Sequence, residues 1–157
     1  MEEEVVKMSA KPLYDISVIE EILPHRSPFL FVDRVIDLDV GRNIITEKDL
    51  FSDDCYFAGH FPGNPVMPGI IVSEALAQTC GLLLGLTWRE KGSPADRDKM
   101  NFFLANVNMK FTSPAKPGDT LRLQASLKKE YGRLFLFDVT AYVLSGLIAK
   151  GTLALAE

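Results

Sequence analysis

The chain has 157 residues, 47% of them hydrophobic and 24% charged, and its formal net charge is −4. That length makes one domain with a proper core, and an acidic chain with no long basic run excludes a phosphate-neutralising nucleic-acid surface. Two cysteines, Cys55 and Cys80, are too few for a disulfide framework and lack metal-ligand spacing, so reduced thiols in the cytoplasm are expected.

Met1 to Lys11 opens on Glu2-Glu3-Glu4 without the basic start and apolar block of a secretory signal, and reads as a flexible tail. Ser17 and Glu20 form an S-x-x-E capping box ahead of Ile19, Ile22 and Leu23, which predicts a short helix over 15–23 ended by Pro24. His25 follows in a loop beside Pro24, Arg26 and Pro28; a catalytic or metal-ligand role is weighed there against the tying down of backbone groups, and the latter is favoured. Phe29 to Val40 and Ile44 to Phe51 read as a hairpin turning at Gly41-Arg42-Asn43.

The chemistry concentrates between Phe57 and Gln78. Pro62, Pro65 and Pro68 fix their own φ angles and bias their predecessors away from helix, which leaves His60 on a loop with little freedom. Beyond Pro68-Gly69 the pattern turns helical, and Ile70 to Trp88 is apolar on almost every face, the mark of a helix enclosed by the rest of the fold. Its strongest apolar run, Cys80 to Leu86, is about a third of what a bilayer span takes, so no membrane segment is expected. Glu74 lies among Ile71, Val72, Ala75 and Leu76, where a carboxylate must be paired, hydrogen-bonded or protonated. Gln78, one turn along the same face, offers a hydrogen bond that would explain Glu74 as a mere anchor. With His60 near in sequence, Glu74 also forms a candidate acid/base pair.

Lys91 to Lys99, with Gly92-Ser93-Pro94, ends the helix in a surface loop. Strands are predicted over Met100 to Phe111, Thr120 to Glu130, Arg133 to Leu144 and Leu147 to Ala156. Alternation at Leu121, Leu123, Ala125 and Leu127 turns one face of the sheet to the helix and the other to solvent. One long apolar helix with about six strands is an α+β architecture in which the sheet wraps the helix.

Gly59-His60-Phe61-Pro62-Gly63, Pro65-Val66-Met67-Pro68-Gly69 and Glu74-Ala75-Leu76-Ala77-Gln78 resemble the signature of the (3R)-hydroxyacyl-[acyl-carrier-protein] dehydratases of bacterial fatty-acid synthesis, enzymes of FabZ type with the hot-dog fold. Leu23-Pro24-His25-Arg26, Pro28-Phe29-Leu30 and Val32-Asp33-Arg34-Val35 resemble that family's opening strand, and Phe111 to Asp119 a later one. The resemblance implies removal of water from a 3-hydroxyacyl thioester, with His60 taking the C2 proton and Glu74 protonating the departing C3 hydroxyl. Imidazole suits the first task because its unperturbed pKa of about 6.5 lies near working pH. A backbone donor for the thioester oxygen falls on Gly69, at the helix N-terminus where amides lack intrahelical partners. Gln78 would orient Glu74, and Phe57, Phe61, Val66 and Met67 are candidate walls for the acyl chain.

The same resemblance implies acyl carrier protein as partner, a homodimer or trimer of dimers, and sites that take the histidine from one chain and the acid from the other. No Gly-rich phosphate loop, metal motif or dinucleotide fingerprint is present, so no cofactor is expected; the pantetheine arm belongs to the substrate. One departure stands out: Thr112-Ser113 follow Phe111 where the family commonly has two arginines. Docking an acidic carrier then falls to Lys110, Lys116, Arg89, Lys91 or Arg97, and coenzyme A stays open as the alternative carrier. A hot-dog thioesterase and a non-catalytic acyl-carrier-binding subunit are the alternative functions.

Overall fold

A computed structural model describes residues 11–92 and 101–157. All but Lys11 of the tail expected over 1–11, and most of the loop expected over 91–99, lie outside the described residues.

Helix α1 spans Ile16–Ile22 and is capped by Asp15, not by Ser17. The Asp15 carboxylate accepts the Ser17 amide at 3.0 Å, so the residue two positions upstream takes the cap that the S-x-x-E pattern assigned to Ser17. Ile19 and Ile22 are its buried face.

Strand β1 spans Arg34–Asp39 and pairs antiparallel with β2, Asn43–Asp49. The expected strand began at Phe29, but Phe29 to Phe31 bonds to a side chain instead of a neighbouring strand: Phe31 donates its amide to Gln78 Oε1 at 2.8 Å, and Phe29 O accepts from Gln78 Nε2 at 3.1 Å. At the hairpin turn Gly41, at φ +79°, donates its amide to Thr87 Oγ1 at 2.9 Å, which ties the turn to the far end of the central helix.

That helix, α2, spans Gly69–Glu90, and every residue from Ala75 to Thr87 is buried. By length and composition it could cross a membrane, but 78% of its most apolar stretch is covered by the fold. Burying Leu76, Leu82 and Leu83 contributes about 1.5–3 kcal/mol each. Thr79 is one of its buried polar residues. Its hydroxyl donates to Ala75 O at 2.9 Å, so across the 2.8 Å contact with Thr46 on β2 the proton comes from Thr46.

Strands β3 (Phe103–Phe111), β4 (Thr120–Tyr131), β5 (Leu134–Val143) and β6 (Gly146–Ala156) complete a six-stranded antiparallel sheet in the order β1-β2-β4-β5-β6-β3. Leu121, Leu123 and Ala125 on β4 and Phe135, Phe137 and Val139 on β5 point at α2, as the alternation predicts. On β6, Gly151 allows the close approach of β3: a Cβ there would meet Asn108 O at 2.0 Å. Among the described residues β3 pairs with β6 alone, and its outer edge carries apolar residues in solvent, Phe103 63% and Val107 43% exposed. An apolar edge strand of this length is a template for pairing with another chain.

Both cysteines are free, and burial pushes the Cys80 thiol above its ordinary pKa.

Candidate active site

His60 sits on a loop closed upon itself. Its amide donates to Phe57 O at 3.1 Å, its carbonyl accepts the Val66 amide at 2.8 Å, and Phe61 and Asn64 exchange amide–carbonyl bonds of 3.0 and 2.9 Å. The peptide bond from His60 to Phe61 is cis. His60 Nδ1 lies 2.8 Å from Val66 O. A carbonyl oxygen only accepts, so Nδ1 carries the proton in that bond and Nε2 of the neutral ring holds the free lone pair. The Phe61 ring stacks on the imidazole at 4.0 Å and is itself 51% exposed.

Beyond Pro68, the amides of Ile71 and Val72 donate to Pro68 O at 2.9 and 3.1 Å. The amides of Gly69 and Ile70 precede these first intrahelical bonds and carry the positive end of the α2 dipole. The Phe111 ring lies against Gly69, where a Cβ would come within 3.1 Å of ring carbons. Gly69 thus permits a close approach, and the group that approaches it within the chain is the Phe111 ring.

Glu74 lies about one and a half turns into α2. Its side chain is 22% exposed, less enclosed than its apolar neighbours imply. Oε1 accepts from Gln78 Nε2 at 3.1 Å. Gln78 is buried and its amide orientation is fixed twice, since the Phe31 amide requires an acceptor and the Phe29 carbonyl a donor. Gln78 therefore has only an N–H to offer Glu74.

Within one chain Glu74 does not meet His60. The imidazole beside it is that of His25, with Nε2 3.6 Å from Glu74 Oε1. The reason is directional: Glu74 projects toward the loop after α1, whereas the His60 ring folds back onto Val66. A cavity of about 50 Å³ opens beside Glu74, His25 and Gln78, with apolar walls from Leu23, Ala77, Gly81, Phe102 and Leu104. None of Phe57, Phe61, Val66 and Met67 lines it, and Phe57 and Met67 are 2% and 3% exposed, in the core. The structural role expected of His25 within its own loop did not place it beside Glu74. Of the basic residues weighed for docking, Arg89 is engaged by Glu21 at 2.8 Å and Arg97 lies outside the described residues.

A six-stranded sheet wrapped on one buried helix, with a histidine on the loop before that helix and a carboxyl early within it, defines a protein of the hot-dog class. The FabA-like domain family matches residues 23–152, and the chain belongs to that family, among its 3-hydroxyacyl-[acyl-carrier-protein] dehydratases of FabZ type. The chain is 38% identical to 3-hydroxyacyl-[acyl-carrier-protein] dehydratase FabZ of Nitratiruptor sp. over 141 residues, 90% of this chain and 95% of the relative. It is 40% identical to the enzyme of the same name from Chlamydia trachomatis over 152 residues, 94% of each chain. Among solved structures, the dehydratase heterocomplex ApeI:P from Xenorhabdus doucetiae superposes with a TM-score of 0.75 at 16% identity, covering 94% of this chain and 91% of that one. The fluoroacetyl-CoA thioesterase FlK superposes with 0.59 at 16% identity over 76% and 87%. At such identities these two establish the shared hot-dog fold.

Proposed function

We propose that this chain dehydrates (3R)-3-hydroxyacyl thioesters on acyl carrier protein to trans-2-enoyl thioesters in bacterial fatty-acid synthesis. It acts in the cytoplasm as one domain of a homodimer or trimer of dimers, without a cofactor of its own. The observation that carries this reading is the bond from His60 Nδ1 to Val66 O, which leaves Nε2 as the basic nitrogen.

His60 Nε2 removes the C2 proton, and charge gathers on the thioester oxygen. The Gly69 amide at the positive end of α2 meets that charge; such a donor is typically worth about 2.7–4 kcal/mol of barrier. Glu74 gives its proton to the C3 hydroxyl, the C3–O bond breaks, water leaves and the C2–C3 double bond forms. His60 then holds one proton more and Glu74 one fewer, and solvent exchange restores both. Because His60 and Glu74 of one chain face apart, the site needs His60 of one protomer and Glu74 of its partner. The open apolar edge of β3 supports a pairing that would supply both.

The test is hydration of a crotonyl thioester, the reverse reaction, followed by loss of enoyl absorbance, with wild type, His60→Ala and Glu74→Gln side by side. Each variant should fall by about 100-fold or more while remaining folded. Thiol release without hydration would instead favour a thioesterase, and binding of acyl carrier protein without turnover a carrier-binding subunit.

A further inference from the structure

Nothing in the reaction as described uses His25, although it is one of two histidines and lies beside the carboxyl assigned as the acid. We propose that His25 is a positioning residue for Glu74: with Gln78 it presents N–H groups to Oε1, so that the acid proton resides on Oε2, the oxygen turned to substrate. The inference rests on the reading of Glu74 as the proton donor.

Three observations carry it. First, the ring is anchored by its surroundings. Arg26 donates to Glu20 O at 2.9 Å, Leu23 O at 2.9 Å and His25 O at 2.7 Å, which fixes the loop after α1, and the His25 ring stacks with Phe29 at 6.5 Å. Phe29 is held in turn by Gln78, so one buried amide places both Glu74 and a neighbour of His25.

Second, the tautomer follows from burial. His25 Nδ1 is buried and has no hydrogen-bond partner. A buried N–H without an acceptor is costlier than a bare ring nitrogen, and on an imidazolium it would bury charge as well. The proton therefore belongs on Nε2, the nitrogen that faces Glu74 at 3.6 Å. That separation is an electrostatic contact rather than a hydrogen bond, and contacts of this kind tighten when a substrate closes the site.

Third, the donors converge on one oxygen. Gln78 Nε2 and His25 Nε2 both address Oε1. A proton on Oε1 would oppose two N–H groups, whereas on Oε2 it opposes none of them. Among the residues lining the cavity, Glu74 and His25 are the titratable pair; β3 contributes Leu104 and β6 contributes Leu155, and the charged neighbour, Arg26, gives its guanidinium to backbone carbonyls.

The test compares two polar replacements of different reach. In His25→Gln the side-chain amide can occupy the Nε2 position; in His25→Asn it reaches only the Nδ1 position. The readouts are crotonyl-thioester hydration kinetics and the titration of the Glu74 carboxyl by ¹³C NMR, its signal assigned by loss in Glu74→Gln. His25→Asn should lower kcat by about 10-fold, the worth of one donor to a charged group, with KM within about 2-fold. It should also change the Glu74 titration curve, since Oε1 loses a donor. His25→Gln should recover most of kcat and return the titration toward wild type. If His25→Asn matches His25→Gln in both readouts while Glu74→Gln is inactive, the positioning role is overturned and the dehydratase reading stands. If Glu74→Gln keeps full activity, the assignment of Glu74 fails, and the role of His25 fails with it.

Discussion

Gln78 can offer Glu74 only an N–H, at 3.1 Å, because its own oxygen is already taken by the Phe31 amide at 2.8 Å. One buried side chain thus fixes the backbone entering β1 and the acid of the site together. Replacing it separates the two duties. Gln78→Leu leaves the Phe29 carbonyl and the buried Phe31 amide without this partner and should cost about 1–3 kcal/mol for the buried amide, read as a lower urea midpoint. Gln78→Glu keeps an acceptor for Phe31 but places a second carboxyl against Glu74. It should lose less stability than Gln78→Leu while losing turnover, because the N–H that holds Glu74 Oε1 is gone and the second carboxylate repels it.

The bond from His60 to Val66 O invites a similar separation of structure from chemistry. Asparagine places its amide where Nδ1 stands, so His60→Asn should keep the bond that closes the loop, at 2.8 Å in the native chain, and lose the nitrogen that takes the proton. The expected outcome is a melting temperature close to wild type with hydration reduced by about 100-fold or more. A variant that retained activity would move the base elsewhere.

Gly69 and Phe111 form a third relationship. A methyl at position 69 would sit 3.1 Å from the Phe111 ring, so Gly69→Ala must displace the ring at the mouth of α2. Phe111 is 47% exposed, so the ring can give way and the loss of stability stays at or below about 1 kcal/mol. Adding Phe111→Leu should recover part of that loss, a coupling that a double-mutant cycle measures. Stability restored without activity would show that the displaced ring, or the amide beside it, matters to the reaction.

Much of the architecture was legible because local pattern and tertiary role agree. Pro68-Gly69 followed by an unbroken apolar run marks α2, and the alternation through Leu121, Leu123 and Ala125 marks a strand with one buried face. What was not legible depends on partners distant in sequence. Phe29 to Phe31 has the composition of a strand, but its hydrogen bonds go to a side chain at position 78. Asp15 and Ser17 are both good caps, and only the turn geometry chooses Asp15. His25 reaches Glu74 because α1 packs beside α2, and nothing in the order of residues 23–26 conveys that. Proximity along the chain suggested His60 and Glu74 as a pair, and they face apart within one protomer; only the resemblance, which implies a site shared between two chains, pointed beyond the single protomer. Phe57 and Met67 flank the motif but point into the core.

The exposed edge of β3 gives a test of assembly independent of the acid/base groups. Val107 is 43% exposed on a strand whose outer edge is unpaired. Val107→Asp would put a charge into any pairing across that edge, while a solvated aspartate on the lone chain costs little. Sedimentation should show a shift toward monomer, and hydration should fall in step with the dimer fraction although His60 and Glu74 are intact. A monomer of full activity would mean that one chain holds a complete site.

A second face of the sheet sets the response to acid. Glu47, 4% exposed, lies between Arg34 at 2.9 Å and Arg122 at 2.6 Å, and Arg34 also grips Asp49 at 2.8 Å. Its hydrogen bond to Arg34 holds the Asp49 carboxyl below the usual carboxylate range, and the hydroxyl of Thr120 adds a further bond at 2.9 Å. A folded-state pKa depressed below the unfolded value contributes stability that is fully present above the unfolded pKa. That contribution is lost as pH falls through the folded one. Asp49→Asn should therefore be less stable than wild type at pH 7, and the difference should shrink below about pH 4 and vanish once Asp49 is protonated in the folded as well as the unfolded chain. Urea midpoints of the two proteins measured between neutral and acid pH check this. A gap that stayed constant across the range would assign the role of Asp49 to packing or neutral hydrogen bonding, not to its charge.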